Sequence, residues 1–179
     1  AWGARGRTRR ARVGRVTMRV LVIPSWYPGP GSPTAGVFIQ QQVRAIAPFA
    51  DVAVLHVETG TREFGPTTTE EDGVTVVRCG IIANGLAARF FEYRRVGTMA
   101  FDALSAAWGL PDIMHVQAMW PAALIARSIK RRHGVPYVIT EHSEEYLAQS
   151  HRRLVRTPGM LPLVLRPLAR SASRTIAVS

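Results

Sequence analysis

The run Val138-Ile139-Thr140-Glu141-His142-Ser143-Glu144-Glu145 delivers titratable side chains straight after two apolar residues. A histidine at a strand end can orient or deprotonate a hydroxyl, and a neighbouring carboxylate such as Glu141 can fix its tautomer. Ser143 also suits a helix cap, with Glu144 and Glu145 in the first turn. The two readings concern different residues, and His142 is the candidate catalytic group. Gly36 is a second candidate. It follows a Gly/Pro-rich run over residues 25–35 and precedes an amphipathic stretch. A helix terminus favours anions by about 0.3–1 kcal/mol, roughly 2 when partly buried. Lacking a Cβ, Gly36 admits a phosphate close to its backbone; the alternative is that it only starts the helix. Gln117 and Trp120 form a third group after the apolar run at residues 112–116. They are candidate substrate contacts, as are Glu141 and Ser25, because a tryptophan face suits the CH side of a sugar ring. A packed Trp120 is the rival reading. His115, inside the apolar pattern, reads as a hydrogen-bonded core histidine.

Other chemistries are not supported. His133, His142 and His151 lack metal-ligand spacing, and the single Cys79 supplies no partner for a zinc site or a disulfide. No G-x-S-x-G elbow or Walker A loop is present. Gly29-Pro30-Gly31 imitates the start of a dinucleotide fingerprint, but the third glycine is missing. Arg131, Arg132 and His133 close a helix, where cations suit the dipole.

These groups need a scaffold that brings them to one edge. Residues 18–24 are a compact apolar run ending at Pro24, a buried strand. From Gly36, Ile39, Val43, Ile46 and Ala47 recur as one helical stripe. Residues 51–57 are a second strand and 74–79 a third, reached through a polar loop rich in Thr, Glu and Gly. Phe90, Tyr93, Gly97, Ala100, Phe101, Leu104 and Trp108 mark one face of a long helix that stops near Gly109 and Pro111. Residues 112–116 are a strand. Pro121 suits the first turn of the next helix, which ends at Gly134. Residues 135–140 are another strand, 161–172 are helical with interruptions at Pro162 and Pro167, and 175–178 are a last strand, apolar on both faces. Alternating strands and helices imply an α/β fold: a Rossmann-like, doubly wound, mostly parallel sheet in a single domain. Ligands then bind beyond the carboxyl ends of the strands, where strand order reverses. The segments carrying Ser25 and Gly36, Gln117 and Trp120, and Glu141 and His142 all arrive there.

The formal net charge of +11 is concentrated at the start. Arg5, Arg7, Arg9, Arg10, Arg12 and Arg15 precede Met18; without them 17 basic residues face 12 acidic ones, a net of +5. Residues 1–17 therefore read as a basic, disordered leader, or as sequence upstream of a start at Met18. The leader has no apolar core of a secretory signal. It can touch nucleic acid or anionic lipid through counterion release, but no base-reading motif accompanies it. No apolar run approaches the roughly 20 residues that span a bilayer. One cysteine suits a reducing compartment. Lys130 is the only lysine among 23 basic residues, which suggests a GC-rich bacterial genome.

Residues 18–28, the loop into residues 34–47, then residues 112–126, 135–146 and 173–179 together resemble the N-terminal domain of glycosyltransferase family four, in order and spacing. The resemblance implies a GT-B enzyme, in which two Rossmann-like domains face each other across a cleft. The first domain binds the acceptor and the second holds a nucleotide-sugar donor. Transfer retains anomeric configuration, with no metal and no cofactor. By position, Gly36 matches the glycine whose backbone approaches the donor diphosphate, and His142 matches the histidine of the T-E-H motif near the transferred sugar. Gln117 departs from the histidine that many relatives carry there. The family expectation for the full protein is transfer of a hexose to a glycan or lipid-linked acceptor, in bacterial polysaccharide synthesis. It would act in the cytoplasm, with peripheral contact at the inner membrane face. The chain is expected to be truncated before its C-terminal donor domain and inactive alone. A non-catalytic sugar-binding or remnant module is the alternative.

Overall fold

The computed structural model describes residues 17–60, 64–82, 85–142 and 159–178. The basic leader up to residue 16 and the stretch with Ser143, Glu144, Glu145 and His151 lie outside the described residues. Seven strands form one sheet: β1 (Arg19–Pro24), β2 (Asp51–Thr59), β3 (Phe64–Glu71), β4 (Val74–Ile81), β5 (Ile113–Gln117), β6 (Tyr137–Glu141) and β7 (Arg174–Ala177). Their spatial order is β3-β4-β2-β1-β5-β6-β7. Every pairing is parallel except β3 with β4. The order reverses between β1 and β5, so the switch point opens where Pro24 and Gln117 pair in register.

The helices are α1 (Val37–Ile46), α2 (Leu86–Trp108), α3 (Ala123–His133) and α4 (Arg166–Ser171). Alternation along each strand sorts two cores. Leu21, Ile23, Leu55, Val77, Met114 and Ile139 face α2, α3 and α4. Val22, Val52, Val54, Val74 and Val76 face α1, whose Ile39 and Val43 are buried among them. Gly97 lets α2 lie close against α3, since a Cβ there would collide with the Ile125 side chain. Both faces are thus covered by helices, and the sheet is doubly wound as its sequence pattern requires.

The structure corrects three local expectations. The polar stretch before β4 is a strand, β3, turned into β4 through Asp72 (φ 53°) and Gly73 (φ 78°). Two residues with positive φ make the tight hairpin turn that Asp-Gly favours, and β3 stays exposed because it is an edge. Pro121 precedes α3 instead of entering its first turn: Ala122 is the N-cap. Pro167 does not interrupt a helix. It occupies the first turn of α4, which follows a π-helical turn over Met160–Leu165. The last strand, β7, is where the sequence places it; among the described residues it pairs with β6 alone, and all four of its residues are exposed.

Candidate functional site

The loops at the switch point are tied together by side chains chosen from the sequence for other roles. Ser25, just past β1, donates its hydroxyl proton towards the carbonyls of Ala118 and Trp120, each at 2.9 Å. The Ala122 N–H donates back to Ser25 Oγ at 3.4 Å. Glu141, at the end of β6, accepts from the Met119 N–H at 2.9 Å. Ala118 sits at φ 62°, a left-handed conformation that costs a non-glycine residue about 1–2 kcal/mol. The Ala118 N–H donates to the Thr140 carbonyl at 2.8 Å, which helps to hold that conformation. Ser25 and Glu141 therefore brace the 118–122 turn from its two sides. Trp120 is 8% exposed and packs into the larger core, while its edge still lines the rim.

Gln117 and His142 meet. His142 Nε2 lies 2.6 Å from Gln117 Oε1, and Gln117 Nε2 donates to Gln42 Oε1 on α1 at 2.9 Å. With the Gln117 amide oriented in this way, its oxygen accepts the His142 Nε2 proton, leaving Nδ1 with the lone pair. His115 Nε2 lies 2.8 Å from Thr140 Oγ1, so His115 is the hydrogen-bonded histidine its strand position suggested. Burial lowers the pKa of both His142 and His115, and the His142 charge lowers that of His115 further. Both imidazoles are neutral at pH 7 as a result. The Phe38 ring stands edge-on to the His142 ring, with centroids 4.8 Å apart.

Phe38 belongs to the first turn of α1, two residues beyond Gly36. That places His142 against the same helix terminus that Gly36 opens. Gly36 is the α1 N-cap at φ 68°, and a Cβ there would collide with the Trp26 carbonyl. Left-handed backbone and close chain approach are enough to require glycine. No side chain caps this end, so the leading N–H groups point off the helix.

Beside this cluster, a cleft of about 1360 Å3 runs over the carboxyl ends of β1, β2 and β4. One wall is the 25–35 loop, braced by Arg78. The Arg78 guanidinium pairs with Glu71, donates to the Pro28 carbonyl at 2.8 Å and lies over the Tyr27 ring. That pairing, the largest influence, holds the Glu71 carboxyl below its ordinary range. His56 is buried in the cleft floor with Nδ1 3.2 Å from the Pro24 carbonyl, and burial pushes its pKa down to about 4. Glu58 Oε1 lies 2.8 Å from where a Cβ on Gly29 would be, so Gly29 makes room for that carboxylate. Cys79 is buried, and burial followed by the charge of Glu58 pushes its thiol up to about 12, which leaves it unreactive. Three buried polar atoms around the cleft have no hydrogen-bond partner: Arg78 Nε, Arg89 Nε and Tyr93 OH. A buried polar group left unpaired costs about 1–3 kcal/mol.

Gln42, Phe38, His56, Arg89 and Tyr93 were not singled out as site residues from sequence. Tyr93 carried a signal as the only hydroxyl on the apolar face of α2. Among the described residues no cluster of His, Cys, Asp and Glu is arranged to hold a metal ion. Nor is any described helix long and apolar enough to cross a membrane.

The family described as glycosyl transferase 4-like domain matches residues 33–179. No curated protein matches the chain significantly by sequence. Sucrose-phosphate synthase from Thermosynechococcus elongatus superposes with a TM-score of 0.66 at 16% identity, over 90% of this chain and 42% of that one. An α,α-trehalose-phosphate synthase (UDP-forming) from Burkholderia vietnamiensis gives a TM-score of 0.52 at 15% identity, over 88% and 39%. At such identities the likeness is one of fold. The chain spans about two-fifths of the length of these structures.

Proposed function

The chain belongs to the glycosyl transferase 4-like domain family, and from that premise we propose that it is the acceptor-side half of a retaining hexosyltransferase. Its Rossmann-like sheet is that of a GT-B glycosyltransferase. The complete polypeptide would move a hexose from a nucleotide-sugar to a glycan or lipid-linked acceptor, in the making of a bacterial surface polysaccharide. It would work in the cytoplasm, in peripheral contact with the membrane. The observation that carries this reading is the edge-on contact of His142 with Phe38 in the first turn of α1. It puts a neutral histidine next to a helix end that lacks a side-chain cap, at the rim where an α/β sheet binds ligands.

In this reading the leading N–H groups of α1 meet the donor diphosphate, with Gly36 at the N-cap setting the left-handed turn that aims them. His142 accepts a hydrogen bond from a hydroxyl of the transferred sugar at Nδ1, because Gln117 occupies its Nε2 proton. Gln117, held in turn by Gln42, sets the ring plane. Glu141 and Ser25 act through the 118–122 turn they brace, and Trp120 contributes the edge that lines the rim. The rate gain comes from positioning the acceptor hydroxyl and stabilising the leaving diphosphate.

The test uses the complete polypeptide. Release of nucleotide from a panel of nucleotide-sugars is measured with acceptor present, and the product anomer is assigned by NMR. We expect retained configuration, and a fall in kcat of about 100-fold, about 2.7 kcal/mol, for His142→Ala with an unchanged circular dichroism spectrum. Equal turnover by the variant would remove His142 from the chemistry, and an inverted product would remove the retaining assignment.

A further inference from the structure

We propose that Arg78 is a positioning residue for the N-terminal end of α1: from the β3–β4 hairpin it fixes residues 26–28, and those residues seat Gly36. This rests on the reading of that helix end as the diphosphate end, and adds to the site a residue remote in sequence. Little else holds the loop before α1. Pro28, Pro30 and Pro33 have no N–H to donate. The backbone bonds inside the loop are local: Gly29 and Ser32 bond each other, and Ala35 donates to the Ser32 carbonyl. Among the described residues, a single hydrogen bond ties residues 26–35 to the sheet. It runs from Arg78 Nη2 to the Pro28 carbonyl at 2.8 Å.

The guanidinium that makes this bond is itself fixed in place. Both of its terminal nitrogens pair with Glu71 on β3, and Nη1 also reaches Thr69 Oγ1 at 3.3 Å. Its flat face lies 5.5 Å from the centroid of the Tyr27 ring, which is buried in the α1-side core. A planar fork serves a carboxylate, a carbonyl and a ring face together, and a lysine ammonium does not. The hold on Tyr27 and Pro28 reaches α1 through one neighbour. The Trp26 carbonyl and the Tyr27 nitrogen are the backbone atoms packed against Gly36, the α1 N-cap. Gly36 then accepts the first bonds of the helix, from Ile39 at 2.9 Å and Gln40 at 3.2 Å.

The hairpin touches the other end of α1 as well, and the two grips differ in strength. Arg44, in the last turn, pairs with Asp72 at 2.7 Å, with side chains 51% and 59% exposed. An exposed pair of this kind contributes little. The Arg78 and Glu71 side chains are only 11% and 30% exposed, so water and salt screen them less. The hairpin therefore holds α1 by the loop at its N-terminus.

The experiment follows amide hydrogen exchange by NMR at Ile39 and Gln40, and at Ala47, which bonds the Val43 carbonyl at the far end of α1. Arg78→Gln should speed exchange at Ile39 and Gln40 about 10-fold relative to Ala47, with Arg78→Lys in between. Arg44→Gln should leave Ile39 and Gln40 within about 2-fold. In the complete polypeptide, Arg78→Gln should lower kcat/KM for the nucleotide-sugar about 10-fold and leave the acceptor KM within about 2-fold. Equal acceleration at both ends of α1 would reduce Arg78 to a contributor to overall stability and overturn the inference. So would unchanged exchange at Ile39 and Gln40, an Arg44→Gln effect as large as that of Arg78→Gln, or an active polypeptide indifferent to Arg78→Gln. Local acceleration in a complete polypeptide that transfers no sugar would instead remove the transferase reading and leave the role of Arg78 standing.

Discussion

The cluster at the ends of β5 and β6 and the cleft over β2 and β4 share one rim and are built from similar side chains, but they differ in pairing. In the first, His142, Gln117, Gln42, His115 and Thr140 form one connected set of contacts, joined in the middle by Gln117 Nε2 at 3.3 Å from His115 Nε2. In the second, Tyr93, Arg89 and Arg78 keep buried donors with nothing to receive them. A satisfied network holds its members in one geometry and resists deformation. An unsatisfied one costs stability, because each buried donor has given up water without gaining a partner. The first region is therefore held in one geometry by its own contacts, and the second carries an uncompensated cost in the folded chain.

Gly36 belongs to the loop that separates the two regions, so replacing it breaks both. Gly36→Ala should cost about 3 kcal/mol or more, from the left-handed φ together with the collision against the Trp26 carbonyl. Chemical denaturation would show this as a large drop in midpoint; a change below 1 kcal/mol would mean the loop yields easily.

Acid should distinguish the regions next. His56 has a folded pKa of about 4, below the unfolded value near 6.5, so the unfolded chain takes up a proton that the folded chain refuses. Its contribution is complete above pH 6.5 and is lost as the pH falls from there to about 4. The loss amounts to about 3 kcal/mol. His115 and His142 are depressed in the same direction and add to the slope. Urea unfolding across this range, repeated with His56→Gln, should show the slope reduced but still present. An unchanged slope would place the acid sensitivity outside the cleft.

The two smallest effects have opposite signs. Gln117→Leu leaves the His142 Nε2 proton and Gln42 Oε1 without partners, and should cost about 1–3 kcal/mol. Tyr93→Phe deletes a hydroxyl that has no partner, and should raise stability by about 1 kcal/mol. Thermal unfolding of both variants without ligand is the comparison. If both lower the melting temperature, Tyr93 is paired in solution and the contrast between the regions fails.

Much of this architecture is legible in the residues alone. Leu21 and Ile23 against Val22, or Ile39 and Val43 along α1, obey repeats of 2 and 3.6 that depend only on local geometry. Those repeats also place Gly36, Gln117 and His142 at one edge, since parallel strands end together. β3 escaped because its Thr-rich stretch has no apolar face, although Asp72-Gly73 signalled its hairpin turn. Its order comes from pairing with β4, which no short window contains.

What the chain determined by itself was the succession of strands and helices and the identity of the residues delivered to the rim, because backbone periodicity is a local property. Only the tertiary structure decided what those residues do there. Ser25 and Glu141 became braces because segments 93 and 22 residues away folded onto them. Gln42 became the partner of Gln117 because α1 crosses that face. Whether Tyr93 and Arg89 find partners depends on every group packed around them, and hydrogen bonds between distant segments leave no periodic trace in sequence.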